Sequence, residues 1–332
     1  MKRRYHVLRA HSLGSAEREF ATDVLVGLTE RPKRISSRWF YDAHGSELFA
    51  EICDQEAYYL TRVEHEILSA QAEDFVSAFR GTPFNLVDLG AGDGRKTVLL
   101  LDAAQRLGLD CRYVPIDVSE SALDDLIERM QARYPDLEIE GVVSEYLHGI
   151  EWLVEQAPRR ASLVAFLGSN VGNFDRAGAA RFLRRLWNAL LADDGLLIGF
   201  DLKKDPDVLL AAYNDPRGLT RRFNLNLLTR INRELGGHFD LQRFAHFGTY
   251  NVFSGAMESY LLSLCYQEVR IDALERSFTF KPFEPLHTEY SFKYLDEDVL
   301  RMAQETGFAV QARHWDDEHR FCDALWRVVK AS

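Results

Sequence analysis

Three glycines at alternate positions, Gly90, Gly92 and Gly94, break the run NLVDLGAGDGRKTVLLL at 85–101. A short apolar strand, a glycine turn and an apolar helix in that order bring backbone N–H groups and a helix N-terminus to the carboxyl end of a strand. In an open parallel sheet, nucleotides and nucleotide-like cofactors bind there. Glycine lets the backbone turn sharply and lets a ligand approach closely. Asp117 follows Gly90 by 27 positions, at the tip of the second predicted strand. An acid at that place accepts hydrogen bonds from ribose hydroxyls, in dehydrogenases and S-adenosylmethionine enzymes alike. Asn170 and Asn173 follow the fourth predicted strand, at the same edge of the sheet, where a substrate meets a cofactor.

For these residues to be so placed, the chain must run as βαβ units from residue 85. Strands are predicted at 85–89, 111–116, 137–143, 161–167 and 195–200, with helices between them, one over 177–191. The helix after Asp117 carries Leu123, Leu126, Ile127 and Met130 on one face, with Ser121 and Asp124 as a capping pair. Beyond residue 202 the pattern changes to helices at 205–213 and 219–235, with turn signals at Asn214-Asp215-Pro216 and Gly236-Gly237. Antiparallel strands are expected at 243–252, 259–271 and 276–280, then a strand at 288–294, a helix at 296–306 and strands at 308–315 and 320–329. Ahead of the glycine turn, Ala16, Phe20, Val24, Leu25 and Leu28 mark a helix over 14–30. Ser46 caps a second predicted helix at 46–53, and a third spans 64–79. The aromatics between 39 and 59 read first as core. The whole is an α/β fold, a Rossmann-like seven-stranded methyltransferase sheet with a second α+β substrate-binding lobe. The cofactor domain is expected at 62–201 and 293–332, the second lobe at 1–61 and 202–292.

A chain of 332 residues can build two ordinary domains, and 46% hydrophobic with 27% charged residues is a globular composition. The net charge of −11 argues against a duplex nucleic acid partner, and Arg184-Arg185 and Arg221-Arg222 read as solvated helix faces. Cys53, Cys111, Cys265 and Cys322 are scattered, without a C-x-x-C pair or zinc-spaced histidines, so reduced thiols and no metal are expected. No apolar run approaches the roughly 20 residues of a membrane span. The N-terminus MKRRYHVLRAHS lacks the apolar core of a signal peptide. A cytoplasmic monomer acting on a small molecule is the expectation.

Several stretches together are more specific than the glycine turn. They are WFYDAHGSELF (39–49), AYYLTR (57–62), VDLGAGDGRKT (87–97), FLGSNVGNF (166–174), DLKKD (201–205), AAYNDPRGLTRRFNLN (211–226), INREL (231–235) and TEYSFKY (288–294). Through them nearly the whole chain resembles the histidine-specific S-adenosylmethionine-dependent methyltransferases of ergothioneine biosynthesis, which trimethylate the α-amino nitrogen of histidine. The resemblance implies that Tyr58, Asn173 and Tyr213 hold the amino acid's α-amino and carboxylate groups. Glu289 and Ser291 would read its imidazole, and Tyr41 would be a further active-site tyrosine. On the cofactor side it implies loop contacts from Gly90, Ala91, Gly92 and Lys96, with Asp117 at the ribose. Glu145-Tyr146 stands at the adenine edge, where the family usually has Asp-Phe. Ser259 stands where Met is typical, beside the substrate's side chain.

The residue types suit those roles. Asn and Tyr offer donors and acceptors to a zwitterion without net charge, and an imidazole N–H wants a carboxylate acceptor such as Glu289. The amine must lose a proton before each transfer, and the Tyr41 hydroxyl or an ordered water is the expected relay. The product would be hercynine, with S-adenosylhomocysteine released. A family member acting on another amino acid such as tryptophan stays open because of Ser259. A nicotinamide-dependent oxidoreductase predicts G-x-G-x-x-G spacing, which the alternate glycines do not match. A binding module without activity is disfavoured, since cofactor and substrate positions are kept together.

Overall fold

In the computed structural model, residues 5–8, 15–156 and 160–330 are described. Most of the basic N-terminal stretch, residue 14 of the predicted first helix and the side chain of Ala16 lie outside them. The chain divides into two compact units: Met1–Arg9, Leu60–Lys203 and Tyr294–Ser332 in one, Ala10–Tyr59 and Lys204–Lys293 in the other.

In the first unit, strand Phe84–Leu89 is buried at every position. It pairs in parallel with Cys111–Asp117 on one side and Ala161–Phe166 on the other. Gly141–Val143 extends the sheet past Cys111–Asp117, and Gly195–Asp201 extends it past Ala161–Phe166. Phe321–Val328 lies antiparallel to Gly195–Asp201, and Phe308–Trp315 closes the edge antiparallel to it. Taken across the sheet, these seven run third, second, first, fourth, fifth, seventh, sixth. The order reverses between Phe84–Leu89 and Ala161–Phe166, so the loops leaving their carboxyl ends diverge there and open a crevice. Leu86, Leu100, Ala103, Tyr113, Leu123, Leu126, Leu163 and Leu197 belong to the apolar core around the sheet.

Two more strands join those seven. The predicted strand 137–143 is interrupted, Glu138–Ile139 and Gly141–Val143 pairing separately with Cys111–Asp117. Tyr5–Val7, within the stretch 1–61 expected in the second lobe, adds in parallel to Gly141–Val143. A three-residue edge strand is too short to carry a readable alternation.

The second unit layers helices on a four-stranded sheet of order Lys33–Arg34, Pro285–Phe292, Ala256–Ser263, Phe244–Asn251. Helix Leu219–Leu235 buries Leu219, Phe223, Leu227, Ile231 and Leu235, the stripe of a 3.6-residue period. Phe223 packs on Phe40 at 4.7 Å between ring centroids. The run predicted as one strand over 259–271 is two. Ala256–Ser263 stays in the four-stranded sheet, while Gln267–Ile271 pairs with Arg276–Phe280. Between them Ser263 Oγ donates to the Cys265 carbonyl at 2.9 Å and Leu264 N–H to the Arg243 carbonyl at 2.8 Å, turning the chain out of the ladder. Side-chain alternation continues across such a bend, so the pattern alone joined the two.

Two helix caps also differ from expectation. The helix expected from Ser46 begins at Ala43, and Asp42 caps it, accepting the Gly45 N–H at 2.8 Å. Gly45 is needed there because a β-carbon would collide with the Phe40 carbonyl oxygen at 1.8 Å. Asp42 also accepts from Asn226 Nδ2 at 2.7 Å and Arg233 at 2.6 Å, tying two helices together. Ser119, rather than Ser121, caps the helix Glu120–Arg133, accepting from Ala122 N–H at 3.3 Å. In both cases the capping side chain lies outside the first helical turn, and the predicted serine lies inside it. Asp42→Ala should cost about 2 kcal/mol or more in chemical denaturation, a lost cap plus a stranded amide. Ser46→Ala should cost about 0.5 kcal/mol or less; equal costs would return the cap to Ser46.

Candidate functional site

Each unit carries one cluster of the residues singled out from sequence. In the first unit the cluster grows from the strand end at Leu89. Gly90 has φ +74°, and a β-carbon there would stand 3.0 Å from the Tyr146 hydroxyl, so the turn and its close neighbour both require glycine. Gly92 N–H donates to one carboxylate oxygen of Asp117 at 3.1 Å and Ser119 N–H to the other at 2.9 Å. Burial nevertheless holds this carboxyl above the ordinary aspartate value. The Val118 N–H acts on the same carboxylate, which with about four acceptor positions keeps room for a further donor beyond these three.

Lys96 immediately precedes helix Thr97–Arg106 and forms an ion pair with Glu64. The other Glu64 oxygen accepts the Gly168 N–H at 2.6 Å. A fully buried carboxylate therefore ties the glycine turn to the loop after the fourth strand of the seven. That loop holds Ser169 at φ +55° with its hydroxyl accepting Asp201 N–H at 3.0 Å, then the single turn Asn170–Asn173. Asn173 is half-buried and belongs to this unit. Glu145 is exposed, and Tyr146 packs edge-on to Phe166 at 5.5 Å.

In the second unit, strand Pro285–Phe292 and the residue after it present Glu289, Ser291 and Lys293 on one face, as a two-residue period demands. The pairing with Ala256–Ser263 shifts register between Ser259 and Tyr260. Thr288, left out of the pairing, donates to Asn224 Oδ1 at 2.7 Å and the Ser259 carbonyl at 2.9 Å, which pins the strand to helix Leu219–Leu235. Ser259 lies directly across from Glu289 and its hydroxyl donates to that carboxylate at 3.4 Å. Glu289 is half-buried, reachable by solvent yet ringed by protein. That enclosure pushes its carboxyl from the usual 4.5 to about 7, against the opposing pull of the Lys293 ammonium and the Ser259 bond.

Tyr213 ends helix Pro206–Tyr213 and donates its hydroxyl to Ser291 Oγ at 2.7 Å. The Tyr58 ring meets the Tyr213 ring edge-on at 6.2 Å, and burial keeps its phenol protonated far above neutral pH. Tyr41 packs on Phe49 at 5.5 Å, and Phe49 on Tyr58 at 6.2 Å. Tyr58, Tyr213, Ser259, Glu289 and Ser291 thus meet in the second unit, with Tyr41 one aromatic ring away. Asn173 stands with the other cluster.

Sequence reasoning passed over three acidic or basic residues that hold these clusters. Glu64 is one. Asp88 is another: Thr97 and the Tyr113 hydroxyl, at 3.0 Å, donate to it, and burial raises its carboxyl to about 6. An acid inside an apolar strand two residues before a glycine turn was the available signal, since a buried acid must be hydrogen-bonded. Lys293 is the third, and its alternation with Glu289 and Ser291 could have placed it on their face.

Comparison with known proteins gives the family. The family described as histidine-specific methyltransferase, SAM-dependent, matches residues 20–328. The chain is 37% identical over 301 residues to a histidine N-alpha-methyltransferase of Mycolicibacterium smegmatis, covering 91% of this chain and 92% of that one. It is 38% identical to the protein of the same name in Mycobacterium tuberculosis, covering 89% and 90%. Ergothioneine biosynthesis protein 1 of Schizosaccharomyces pombe is 28% identical over 85% of this chain and 37% of its own length.

The raised carboxyl at Glu289 has a consequence for stability. Unfolding returns it to about 4.5, so the folded state binds more protons between 4.5 and about 7. Its contribution is present below 4.5 and is lost as pH rises through 7. Glu289→Gln should therefore unfold at higher denaturant than the wild type at pH above 7, with the gap closing towards the ordinary glutamate range. A gap independent of pH would show that Glu289 titrates normally.

Proposed function

The chain belongs to the family of histidine-specific, S-adenosylmethionine-dependent methyltransferases, and we propose on that footing that it methylates the α-amino nitrogen of L-histidine. The product of three transfers would be hercynine, a step towards ergothioneine. The observation that supports histidine best is the pairing, on one strand face, of a carboxylate acceptor at Glu289 with a hydroxyl at Ser291. Together they match the N–H and the bare nitrogen of one imidazole. An indole has an N–H but no bare ring nitrogen, so tryptophan would leave Ser291 unmatched.

Bound S-adenosylmethionine supplies a methyl group activated by the positive charge of its sulfonium. Gly90, Ala91, Gly92 and Lys96 would hold it along the turn, Asp117 at the ribose, and Glu145 with Tyr146 at the adenine edge. Tyr58 and Tyr213 would hold the polar end of the amino acid, with Asn173 assigned to it through the resemblance. Gripping the carboxylate and the ring leaves the nitrogen free to rotate between transfers, so the chain contributes mainly positioning and exclusion of water. Each transfer needs a neutral amine. The Tyr41 hydroxyl would accept the amine's proton while passing its own on to water, a relay that needs no strongly basic side chain.

Purified protein with S-adenosylmethionine and the twenty amino acids should put three methyl groups on histidine alone, read by mass spectrometry. Transfer to a different amino acid would sink the histidine assignment and move attention to Ser259. Tyr41→Phe should lower kcat with KM little changed, and full activity would remove the relay. Glu289→Ala should raise the KM for histidine about tenfold to a hundredfold, the worth of a charged hydrogen bond. An unchanged KM would refute its reading of the ring.

A further inference from the structure

We propose that Lys293 is a positioning residue that fixes Ser291 as a hydrogen-bond donor and holds Glu289 as an acceptor, so that the site selects the neutral imidazole over its protonated form. The inference rests on histidine being the substrate and assigns a residue that reading does not use.

Lys293 is wholly buried. Its Nζ donates to Ser291 Oγ at 2.8 Å and to the Tyr213 hydroxyl at 3.1 Å, and lies 4.8 Å from the centroid of the Tyr213 ring. Tyr213 in turn donates to Ser291 Oγ at 2.7 Å. A serine oxygen has two lone pairs, and these two donors fill both. Towards any further group Ser291 can only donate. An ammonium has no acceptor capacity, so neither of its two bonds can reverse while the charge stays on Lys293, and Tyr213, accepting one of them, passes its own proton on to Ser291. A neutral amine there could accept, and an apolar side chain would free a lone pair of Ser291.

The same charge acts on the neighbouring carboxylate. Around Glu289 stand Ser259 from the paired strand, Lys293 from its own, and Tyr58. Tyr213 and, farther off, Tyr41 and Cys53 share the surroundings of Tyr58. Lys293 is the cation among these groups, and its charge opposes the burial that favours a protonated Glu289. One side chain thus sets both halves of the reader: it orients the hydroxyl and favours the carboxylate. An imidazolium, with N–H on both nitrogens, would meet Ser291 donor to donor. A neutral imidazole satisfies both partners.

The test compares full-length wild type and Lys293→Met, with S-adenosylmethionine saturating, over about pH 6 to 9, where imidazole and a raised carboxyl titrate. Binding of S-adenosylhomocysteine by calorimetry reports that the variant is folded. In the wild type, the KM for histidine should fall as pH rises, first as the imidazole loses its proton at about 6.5 and then through a second inflexion near 7 that Glu289→Gln removes while keeping the first. Lys293→Met should raise KM at neutral pH about tenfold to a hundredfold, move that second inflexion upward and affect kcat less. A general structural role would lower activity without moving the inflexion. If Lys293→Met does not fold, Lys293→Gln, which keeps donors without charge, should still move the inflexion upward. An unmoved inflexion in a folded variant overturns the inference and leaves the function standing. A wild type that transfers no methyl to histidine overturns the function, and the inference with it.

Discussion

A strand buried on both faces can offer chemistry only at its end. Phe84–Leu89 is such a strand, buried along its whole length between two parallel neighbours. Its buried Asn85 and Asp88 are taken up by protein partners, so what it can offer a ligand is gathered at Gly90, where the turn must both clear the neighbouring tyrosine and open its N–H groups. Asp117 ends the adjacent strand at the same level, and its backbone partners include Gly92 of the turn itself. The cluster at Gly90 and Asp117 is thus a consequence of where a parallel sheet stops. Helices close its two faces and leave its carboxyl edge as the place for a ligand.

The second unit solves the opposite problem. In its four-stranded sheet, antiparallel except where Lys33–Arg34 joins Pro285–Phe292 in parallel, side chains alternate between a face packed on core and the face that carries Glu289. Glu289, Ser291 and Lys293 share a face, while Phe292 is buried on the other. Because a slip of one residue would invert that arrangement, the register has to be held. Thr288 holds it through Asn224 and the Ser259 carbonyl, at the point where the pairing shifts. Helix Leu219–Leu235 therefore anchors the strand that carries Glu289 and Ser291 as well as filling the core.

Charge inside both units is handled by pairing. Glu64 with Lys96 and Gly168, and Asp88 with Thr97 and Tyr113, each fasten residues flanking the glycine turn. A single buried partner lost from such a group strands the others without water, which costs more than the bond itself was worth. These groups explain why the motifs extend well beyond residues that could touch a ligand. In WFYDAHG the acid caps a helix and the glycine avoids a carbonyl oxygen. In NDPRGL, Asp215 takes the N–H groups of Leu219 and Thr220 at 2.8 and 2.7 Å.

The sequence by itself determined the order of most elements, the glycine turn with Asp117 at the end of the next strand, and the family. Each is written in local pattern: hydrophobic period, turn chemistry, or motifs in series. It also named Tyr58, Tyr213, Ser259, Glu289 and Ser291, which the fold then brought together from four separate segments. Only tertiary structure decided which serine or aspartate caps a helix, where the run 259–271 breaks, and that Tyr5–Val7 joins the larger sheet. Those outcomes depend on partners distant in the chain, such as the Arg233 and Asn226 that share Asp42. The protonation of Glu289 and the role of Lys293 lie furthest from the sequence. A charge takes its strength from the burial and the neighbours around it, and neither exists until the chain has folded.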